Sequence, residues 1–342
     1  MNAITKGVAA LAAEIARLSG EIGRRVVVDE REAIDRSGAL KLAAPGLWSP
    51  NRSCRLVRSA DGWIAANLPR EVDRWLVPAW IGCAPDADPW RAVLGAAQSM
   101  SSQNLIAQAR LLGLPVAKVG ELRADSPDAD LHRLAAGRNR PISRPMKVVD
   151  LSSMWAGPLC GAILADLGAS VTKVESRDRP DATRAASPLF HSRLNGAKSQ
   201  VSLDFANRQD IGWLRDQIAV ADIVITSARP RAFEQLDLTP QALFAINPGL
   251  VWVAISGYGW MGEAADRVAF GDDAAAAGGL LRWTARGEPR FMGDAAADPL
   301  TGLTAAAGAL KAVRQGGGIL VDAALGLTAA GVAARYAGAE VA

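Results

Sequence analysis

Cysteine and histidine are scarce in this chain, with three cysteines and two histidines among 342 residues. Cys54, Cys83 and Cys160 lie far apart and form no Cys-x-x-Cys pair. A zinc site or a disulfide framework is therefore not expected, and we predict that the chain holds no metal. The same cysteine usage fits a reducing compartment, so we expect a cytoplasmic location.

Long apolar runs and a strong net charge are also lacking. Half of the residues are hydrophobic, but no run of them is long enough to span a bilayer. The first residues do not have a secretory layout, because Glu14 and Arg17 interrupt the apolar stretch. The net charge of +3 is too small to indicate nucleic-acid binding. We therefore expect neither a membrane nor nucleic acid as a partner.

The most informative stretch runs from Lys147 to Glu175. It predicts a strand, a helix and a second strand over residues 148–151, 158–167 and 170–174. Pro158 just inside the helix start and Gly168 just past its end are typical of helix boundaries. Such a βαβ unit places backbone amide groups at the carboxyl end of a parallel sheet, where ligands bind.

Strands and helices continue to alternate after this unit, which favours a parallel sheet with helices on both faces. The predicted fold class is thus α/β, with a large Rossmann-like domain and a smaller α+β domain. Residues 59–62 predict a hairpin turn in the smaller domain. The predicted divisions are an N-terminal helix and lead-in over 1–40, the small domain over 41–120, a linker over 121–145 and the large domain over 146–342.

Several motifs of the large domain together resemble the class III CoA-transferases, the CaiB/BaiF family. The motifs are Asp150-Leu-Ser152 with Ala156-Gly-Pro158, Ala165-Asp-Leu-Gly-Ala169, Lys173-Val-Glu175, Asn195-Gly-Ala-Lys198, Arg229-Pro230 and Asp298-Pro-Leu-Thr-Gly302. The resemblance extends to about residue 330. It implies transfer of coenzyme A between an acyl-CoA and a carboxylic acid, with an aspartyl mixed anhydride and an aspartyl-CoA thioester as intermediates. It also implies a homodimer.

The order of the domains departs from that family. Residues 60–65 and 113–117 resemble the family's small domain, which ordinarily follows the residues matching Asp322 and Ala323. Here it comes first, so the sequence looks circularly permuted. An unrelated α/β lid domain is the alternative. With the small domain first, a single connection over 121–145 is expected to join the two domains.

Asp298 is the main candidate for catalysis. It precedes Pro299 at a predicted helix start, and we interpret it as the N-cap residue. A capping role alone is the alternative. The helix dipole would keep this carboxylate ionised, and an ionised carboxylate can attack a thioester. By the resemblance, Asp298 is the catalytic aspartate, and Asp294 is the second candidate.

The resemblance also implies where coenzyme A binds, as a substrate and not as a permanently bound cofactor. The residues expected to meet its adenine or pantetheine are Met154, Trp155 and Ala156. Those expected to meet phosphate are Arg177, Arg179 and Arg229, although each could instead be a solvated loop charge. The glycines expected to supply oxyanion amides are Gly257, Gly259 and Gly262.

Other functions stay open from the sequence. An α-methylacyl-CoA racemase needs a second acid/base group, and Phe270 stands where the racemases carry a histidine. Departures from the family at Ser227, Ala228 and Phe270 leave a catalytically silent CoA-binding protein possible. The spacing Gly257-x-Gly-x-x-Gly262 is weak support for a dinucleotide site, because no amphipathic helix follows it.

Overall fold

The structure is a computed structural model that describes residues 2–138 and 144–336. The helices are α1 (Ala3–Ile22), α2 (Glu30–Ile34), α3 (Glu71–Trp75), α4 (Val77–Ile81), α5 (Pro89–Ala97), α6 (Ser102–Leu111), α7 (Ala156–Asp166), α8 (Thr183–Ala186), α9 (Pro188–Asn195), α10 (Arg208–Ala219), α11 (Pro230–Gln235), α12 (Pro240–Ile246), α13 (Gly271–Ala277), α14 (Ala297–Arg314) and α15 (Leu325–Tyr336). The strands are β1 (Cys54–Ser59), β2 (Gly62–Asn67), β3 (Val116–Lys118), β4 (Asp130–Arg133), β5 (Lys147–Leu151), β6 (Ser170–Ser176), β7 (Ser199–Leu203), β8 (Ile223–Thr226), β9 (Val251–Ser256), β10 (Arg282–Trp283), β11 (Pro289–Arg290) and β12 (Ile319–Ala324).

A seven-stranded sheet forms the frame, in the order β4-β12-β9-β8-β5-β6-β7. All pairs except β4 with β12 are parallel. Counted from β5, the parallel strands follow the order 3-2-1-4-5-6 of doubly wound nucleotide-binding sheets. The predicted Rossmann-like sheet is confirmed. The strand order reverses between β5 and β8, and in such sheets a crevice for ligands opens at the carboxyl ends there.

Helices cover both faces of this sheet. One face packs Val148, Ile225 and Val253 against α7 and α14, and α1 packs on α14. The other face packs Trp252 and Val224 against residues of α10, α11 and α12. Burial on both faces explains the nearly continuous apolar sequences of β8 and β9. None of the helices in the described ranges has the length and apolarity that crossing a bilayer requires.

The edge strand β4 falls inside the range predicted as a linker. It pairs antiparallel with β12, from Asp130 opposite Asp322 to Arg133 opposite Ile319. This strand was not predicted from the sequence, because it is four residues long and polar, as edge strands often are. Residues 139–143 of the same predicted linker lie outside the described residues.

The small unit consists of β1, β2 and β3 with helices α3 to α6. Its hairpin turns at Ser59 and Gly62, as predicted. Trp80 and Leu105 fill its own core together with Ile64. The opposite side of its sheet packs on the large unit of the same chain, where Leu56 meets a cluster that includes Ala276 and Phe291 of the large unit. The two units therefore share a hydrophobic cluster within one chain.

Helix α1 belongs to the large unit although it precedes the small one. It is the N-terminal helix predicted within residues 1–40, and Val8, Leu11, Ile15 and Leu18 on one of its faces are buried in the main core. The helix packs on α14 and α15. The chain consequently runs from the large unit to the small unit and back. The expectation of a single connection is wrong, because α1 supplies a second attachment to the large unit.

Candidate active site

A cavity of about 910 Å³ opens at the carboxyl ends of β5, β6, β8 and β9. It lies at the point where the strand order reverses, as the doubly wound topology predicts. Residues from both units of the chain contribute to its walls. Those that matter below are Arg70, Ser152, Ser153, Met154, Ala156, Arg179, Asp181, Ser227, Ala228, Arg229, Arg231, Gly257, Trp260, Arg267, Phe270 and Asp298.

Buried polar contacts hold the turn between β5 and α7 in place. Met154 has a left-handed φ of 73°, and its N–H donates to Asp181 Oδ2 at 3.1 Å. The fully buried Lys173 pairs with Asp181 at 3.6 Å and donates to the carbonyl of Ser152. This buried ion pair fixes the backbone of a cavity wall. The sequence analysis did not predict it, because the fold brings Lys173 and Asp181 together and no local pattern indicates the contact.

The Asn195-x-x-Lys198 motif supports the same turn. Lys198 Nζ donates to Asp150 Oδ2 at 2.7 Å, to Asn195 Oδ1 at 2.9 Å and to the carbonyl of Pro158 at 2.9 Å. Gly161 leaves room for this ammonium, because a Cβ there would lie 2.8 Å from Lys198 Nζ. A buried charge is tolerated only when it is paired and hydrogen-bonded, and both conditions are met here.

Asp298 lies in the wall of the cavity, in the first turn of α14. Its interpretation as an N-cap residue is wrong. The helix begins at Ala297, its N-cap is Ala296, and the Asp298 N–H donates to the carbonyl of Ala295 at 2.9 Å. The turn closes one residue earlier than Pro299 suggested, because Ala295 adopts a left-handed φ of 43°. Asp298 therefore does not cap α14.

The expectation that the helix dipole keeps the Asp298 carboxylate ionised is also wrong. Burial raises the pKa of its carboxyl to about 7 against the lowering effect of Arg36, and Asp272 and Asp294 raise it further. The helix dipole is outweighed, because it contributes at most a fraction of the desolvation cost of a buried carboxylate. A carboxyl group of this kind is about half protonated at neutral pH. In the described residues, no group of side chains is placed to hold a metal ion.

Asp273, next in sequence to Asp272, is fully buried between the two units. Asn67 Nδ2 donates to its Oδ1 at 2.7 Å, and the Phe270 N–H donates to the same atom at 2.9 Å. Burial raises its pKa to about 7 from an ordinary value of 3.8. The folded protein thus binds a proton more tightly than the unfolded chain, and this stabilisation is present at acid pH and lost as the pH rises through about 7.

Asp273→Asn should therefore stabilise the protein above neutral pH. The amide keeps an acceptor for Asn67 and removes the cost of a buried charge, so the free energy of unfolding at pH 8 should rise by about 1–3 kcal/mol. Urea unfolding at pH 5 and pH 8 measures this, with the exposed Asp216→Asn as the control. The same change in stability at both pH values would contradict the assignment of a raised pKa.

The three arginines predicted to meet phosphate lie in different places. Arg179 and Arg229 line the cavity. Burial lowers the pKa of Arg229, and nearby Arg231 lowers it further. Arg177 is outside the cavity wall, largely exposed, and paired with Asp210 at 3.5 Å. Arg231, which follows Arg229 closely in sequence, is also in the wall, and the sequence analysis missed Arg70 of the small unit as a further cation there.

Of the residues predicted to meet adenine or pantetheine, Met154 and Ala156 line the cavity. Trp155 is instead buried behind the wall, edge-on to Phe190 at 5.1 Å between ring centroids. The tryptophan that faces the cavity is Trp260. Side chains on neighbouring positions of a tight turn point in different directions, which the sequence alone did not resolve.

The glycine turn after β9 meets the cavity at Gly257. The Gly259 N–H donates to Ser256 Oγ at 3.0 Å, so this amide is already engaged. Asp322 supports the turn, because its carboxylate accepts from the Trp260 N–H at 2.6 Å and from Ser256 Oγ at 3.1 Å. Gly259 and Gly262 both have left-handed φ values, of 116° and 85°, which explains their presence in the turn.

Comparisons with known proteins agree with this geometry. A sequence model of the family described as "CoA-transferase family III" matches residues 144–341. The succinyl-CoA–D-citramalate CoA-transferase of Chloroflexus aurantiacus is 32% identical over 196 residues, which are 54% of this chain and 48% of that protein. The human succinyl-CoA:glutarate CoA-transferase is 28% identical over 190 residues, which are 52% of this chain and 43% of that protein.

Solved structures give the same result. A CaiB/BaiF family protein from Brucella suis shares 32% sequence identity and a TM-score of 0.52, over 56% of this chain and 55% of that one. A hypothetical protein from Mycobacterium tuberculosis shares 28% identity and a TM-score of 0.52, over 58% of each chain. This chain spans about half the length of the curated relatives it matches.

Proposed function

Because the chain belongs to CoA-transferase family III, we propose that it transfers coenzyme A between an acyl-CoA and a carboxylic acid. The observation that carries the proposal is the position of Asp298, a half-buried carboxyl in the wall of a large cavity at the switch point of a Rossmann-like sheet. Phe270 in the same wall cannot carry a proton, which disfavours the racemase alternative.

The proposed mechanism uses Asp298 as a nucleophile. Its carboxylate attacks the acyl carbon of the donor thioester, which gives a mixed anhydride and releases CoA thiolate. The thiolate attacks the aspartyl carbonyl, expels the donor acid and leaves an aspartyl-CoA thioester. The acceptor carboxylate then attacks this thioester and releases the thiolate with a new anhydride. Attack of the thiolate on the acceptor's acyl carbon completes the product acyl-CoA and frees Asp298.

The cavity suits these anionic substrates. Arg70, Arg229 and Arg231 bring cationic groups to its wall, and the loop after β6 adds Arg179. Coenzyme A carries a diphosphate and a 3′-phosphate, and these arginines match its negative charge. Succinyl-CoA with glutarate or D-citramalate, the substrates in the names of two relatives, is the first pair to assay.

The proposed phosphate contacts can be tested with single alanine variants. Arg229→Ala should raise the Kd of CoA about tenfold, because a charge-assisted hydrogen bond of ~1.5–3 kcal/mol is lost. Arg177→Ala is the matched control and should change the Kd little, because Arg177 pairs with Asp210 away from the cavity. Titration calorimetry measures both. Unchanged affinity in both Arg179→Ala and Arg229→Ala would place the phosphates elsewhere.

Three further features belong to the proposal. A circular permutation is supported by the position of the small unit, β1 to β3, ahead of the family match at 144–341. A homodimer rests on the resemblance, and light scattering over a range of concentrations tests it. In this structure Arg70 reaches the cavity from the small unit of its own chain, so the site does not need a partner to supply that arginine.

A cytoplasmic location rests on the free cysteines Cys54, Cys83 and Cys160.

A further inference from the structure

Two side chains from the segment ahead of the small unit meet the turn that precedes Asp298. Arg36 Nε donates to Asp294 Oδ2 at 2.5 Å, and only 12% of the Arg36 side chain is exposed. Asn51 Nδ2 donates to Asp272 Oδ2 and to Asp294 Oδ1, both at 2.7 Å. Both donors lie outside the part of the chain that matches the family.

These contacts extend by hydrogen bonds to Asp298. Asp272 Oδ1 accepts from the Ala295 N–H at 2.7 Å, and the Ala295 carbonyl accepts from the Asp298 N–H at 2.9 Å. Ala295 has the left-handed φ of 43° that few alanines adopt. Such a backbone persists only where its surroundings hold it. Here the surroundings are Asp272, Asp294 and the two donors that bind them.

The charge balance of the cluster depends on Arg36. Asp272, Asp294 and Asp298 face one another, and Arg36 is the cation that acts on the Asp298 carboxyl together with them. Three carboxylates with one guanidinium would carry a net charge of −2 in a poorly solvated place, which is costly. The Arg36 guanidinium also lies 4.7 Å from the centroid of the Trp155 ring, so it cannot turn away without losing this contact.

We propose that Arg36 and Asn51 are positioning residues for the transfer reaction. Arg36 supplies the positive charge that lets Asp298 ionise next to two other carboxyls, and Asn51 ties Asp272 to Asp294 so that the Asp298 turn keeps its shape. This inference rests on the proposed function. It gives the segment ahead of the small unit a part in the chemistry beyond its packing on the large unit.

The test is a pH profile of kcat/KM for CoA transfer from succinyl-CoA to glutarate or D-citramalate in the full chain. In the wild type, activity should rise through the pKa of Asp298, because only the carboxylate is a nucleophile. In Arg36→Met the acid limb of the profile should move up by about one pH unit, with activity at pH 7 about fivefold lower and largely restored at higher pH. Arg36→Lys should keep the limb near its wild-type position.

The Asn51→Ala variant tests the position of the Asp298 turn separately from the charge that Arg36 supplies. It should lower kcat about tenfold across the pH range without an upward shift of the acid limb. The KM of the acyl-CoA should stay nearly unchanged, because Asn51 is not among the residues that line the cavity. The matched control is Arg193→Met. Arg193 lies 5.1 Å from the centroid of Phe190, close to Arg36, but donates to the carbonyl of Asp35. Its profile should equal that of the wild type.

The failures can be told apart. A wild type without CoA transfer for the substrate pairs assayed would contradict the proposed function, and transfer that survives Asp298→Ala would overturn Asp298 as the nucleophile. An active wild type with an inactive Asp298→Ala, but an unshifted limb in Arg36→Met, would overturn the role of Arg36. Wild-type kcat in Asn51→Ala would overturn the role of Asn51. If Arg36→Met does not fold, Arg36→Gln keeps a donor for Asp294, removes the charge and must show the same shift.

Discussion

Asp298→Ala is expected to abolish CoA transfer, with kcat lower by about a thousandfold or more. The methyl group cannot form an anhydride, and the two neighbouring carboxyls cannot replace it. Asp294 is held by Arg36 and Asn51, and Asp272 is held by Asn51 and the Ala295 N–H. Transfer is measured by following the new acyl-CoA by chromatography.

Binding of CoA should survive this substitution, because the arginines of the cavity wall are untouched. A Kd for CoA within about threefold of the wild type, measured by calorimetry, is the expected result. Asp294→Asn is the matched variant, since Asp294 is the other carboxyl in the motif Asp294-Ala-Ala-Ala-Asp298. It should stay active, although at a lower rate. An active Asp298→Ala together with an inactive Asp294→Asn would move the nucleophile to Asp294.

Gly271→Ala is expected to give the second largest effect. Gly271 begins α13 directly against Asp298, and a Cβ there would overlap Asp298 Oδ2 and the backbone of Ala295. Backbone cannot swing aside as a flexible side chain can, so the turn before α14 must shift. Overpacking of this kind costs about 1–3 kcal/mol, and a displacement of about 1 Å at the nucleophile can lower kcat about a hundredfold.

Gly95→Ala is the control for this change. Gly95 lies in the exposed part of α5, and a Cβ there would meet nothing within 4 Å. Alanine favours the helix, so thermal unfolding should show equal or slightly higher stability with unchanged kcat. Full activity in Gly271→Ala would show that the backbone beside Asp298 does not set its position.

The parts that sequence could predict are those with local signals. The sequence of residues 147–175 contains the signals for two strands, for both ends of the helix and for a glycine after it. The structure has β5, α7 and β6 there. The hairpin at Ser59 to Gly62 was equally local. The Asn195-x-x-Lys198 motif kept its two side chains in contact because they are three positions apart in the chain. In each case the pattern and the structure span the same few residues.

The environment of Asp298 could not be predicted, because it is assembled from distant residues. Arg36 and Asp294 are 258 positions apart, and Asn51 and Asp272 are 221 apart. The sequence indicated a helix start and hence an ionised carboxylate. It did not indicate that burial and two further aspartates would raise the pKa of Asp298 to about 7. Electrostatics of this kind depends on the packed fold.

The arrangement of the two units could not be predicted from the sequence either. The order of the motifs suggested one connection, but α1 returns the N-terminal residues to the large unit. The amphipathic pattern of α1 predicts that one face is buried, and it does not say against what. Only the structure shows that the segment after α1 passes the turn before Asp298 on its way to the small unit.

Trapping of the activated carboxyl is the most direct measurement of the central claim. The wild-type protein is incubated with succinyl-CoA, quenched with hydroxylamine and digested, and the peptides are analysed by mass spectrometry. The account predicts a hydroxamate on the peptide that contains Asp298, with fragmentation assigning it to Asp298 and not to Asp294, and no label in Asp298→Ala. A hydroxamate on another carboxyl, or active transfer with no labelled carboxyl, would contradict it.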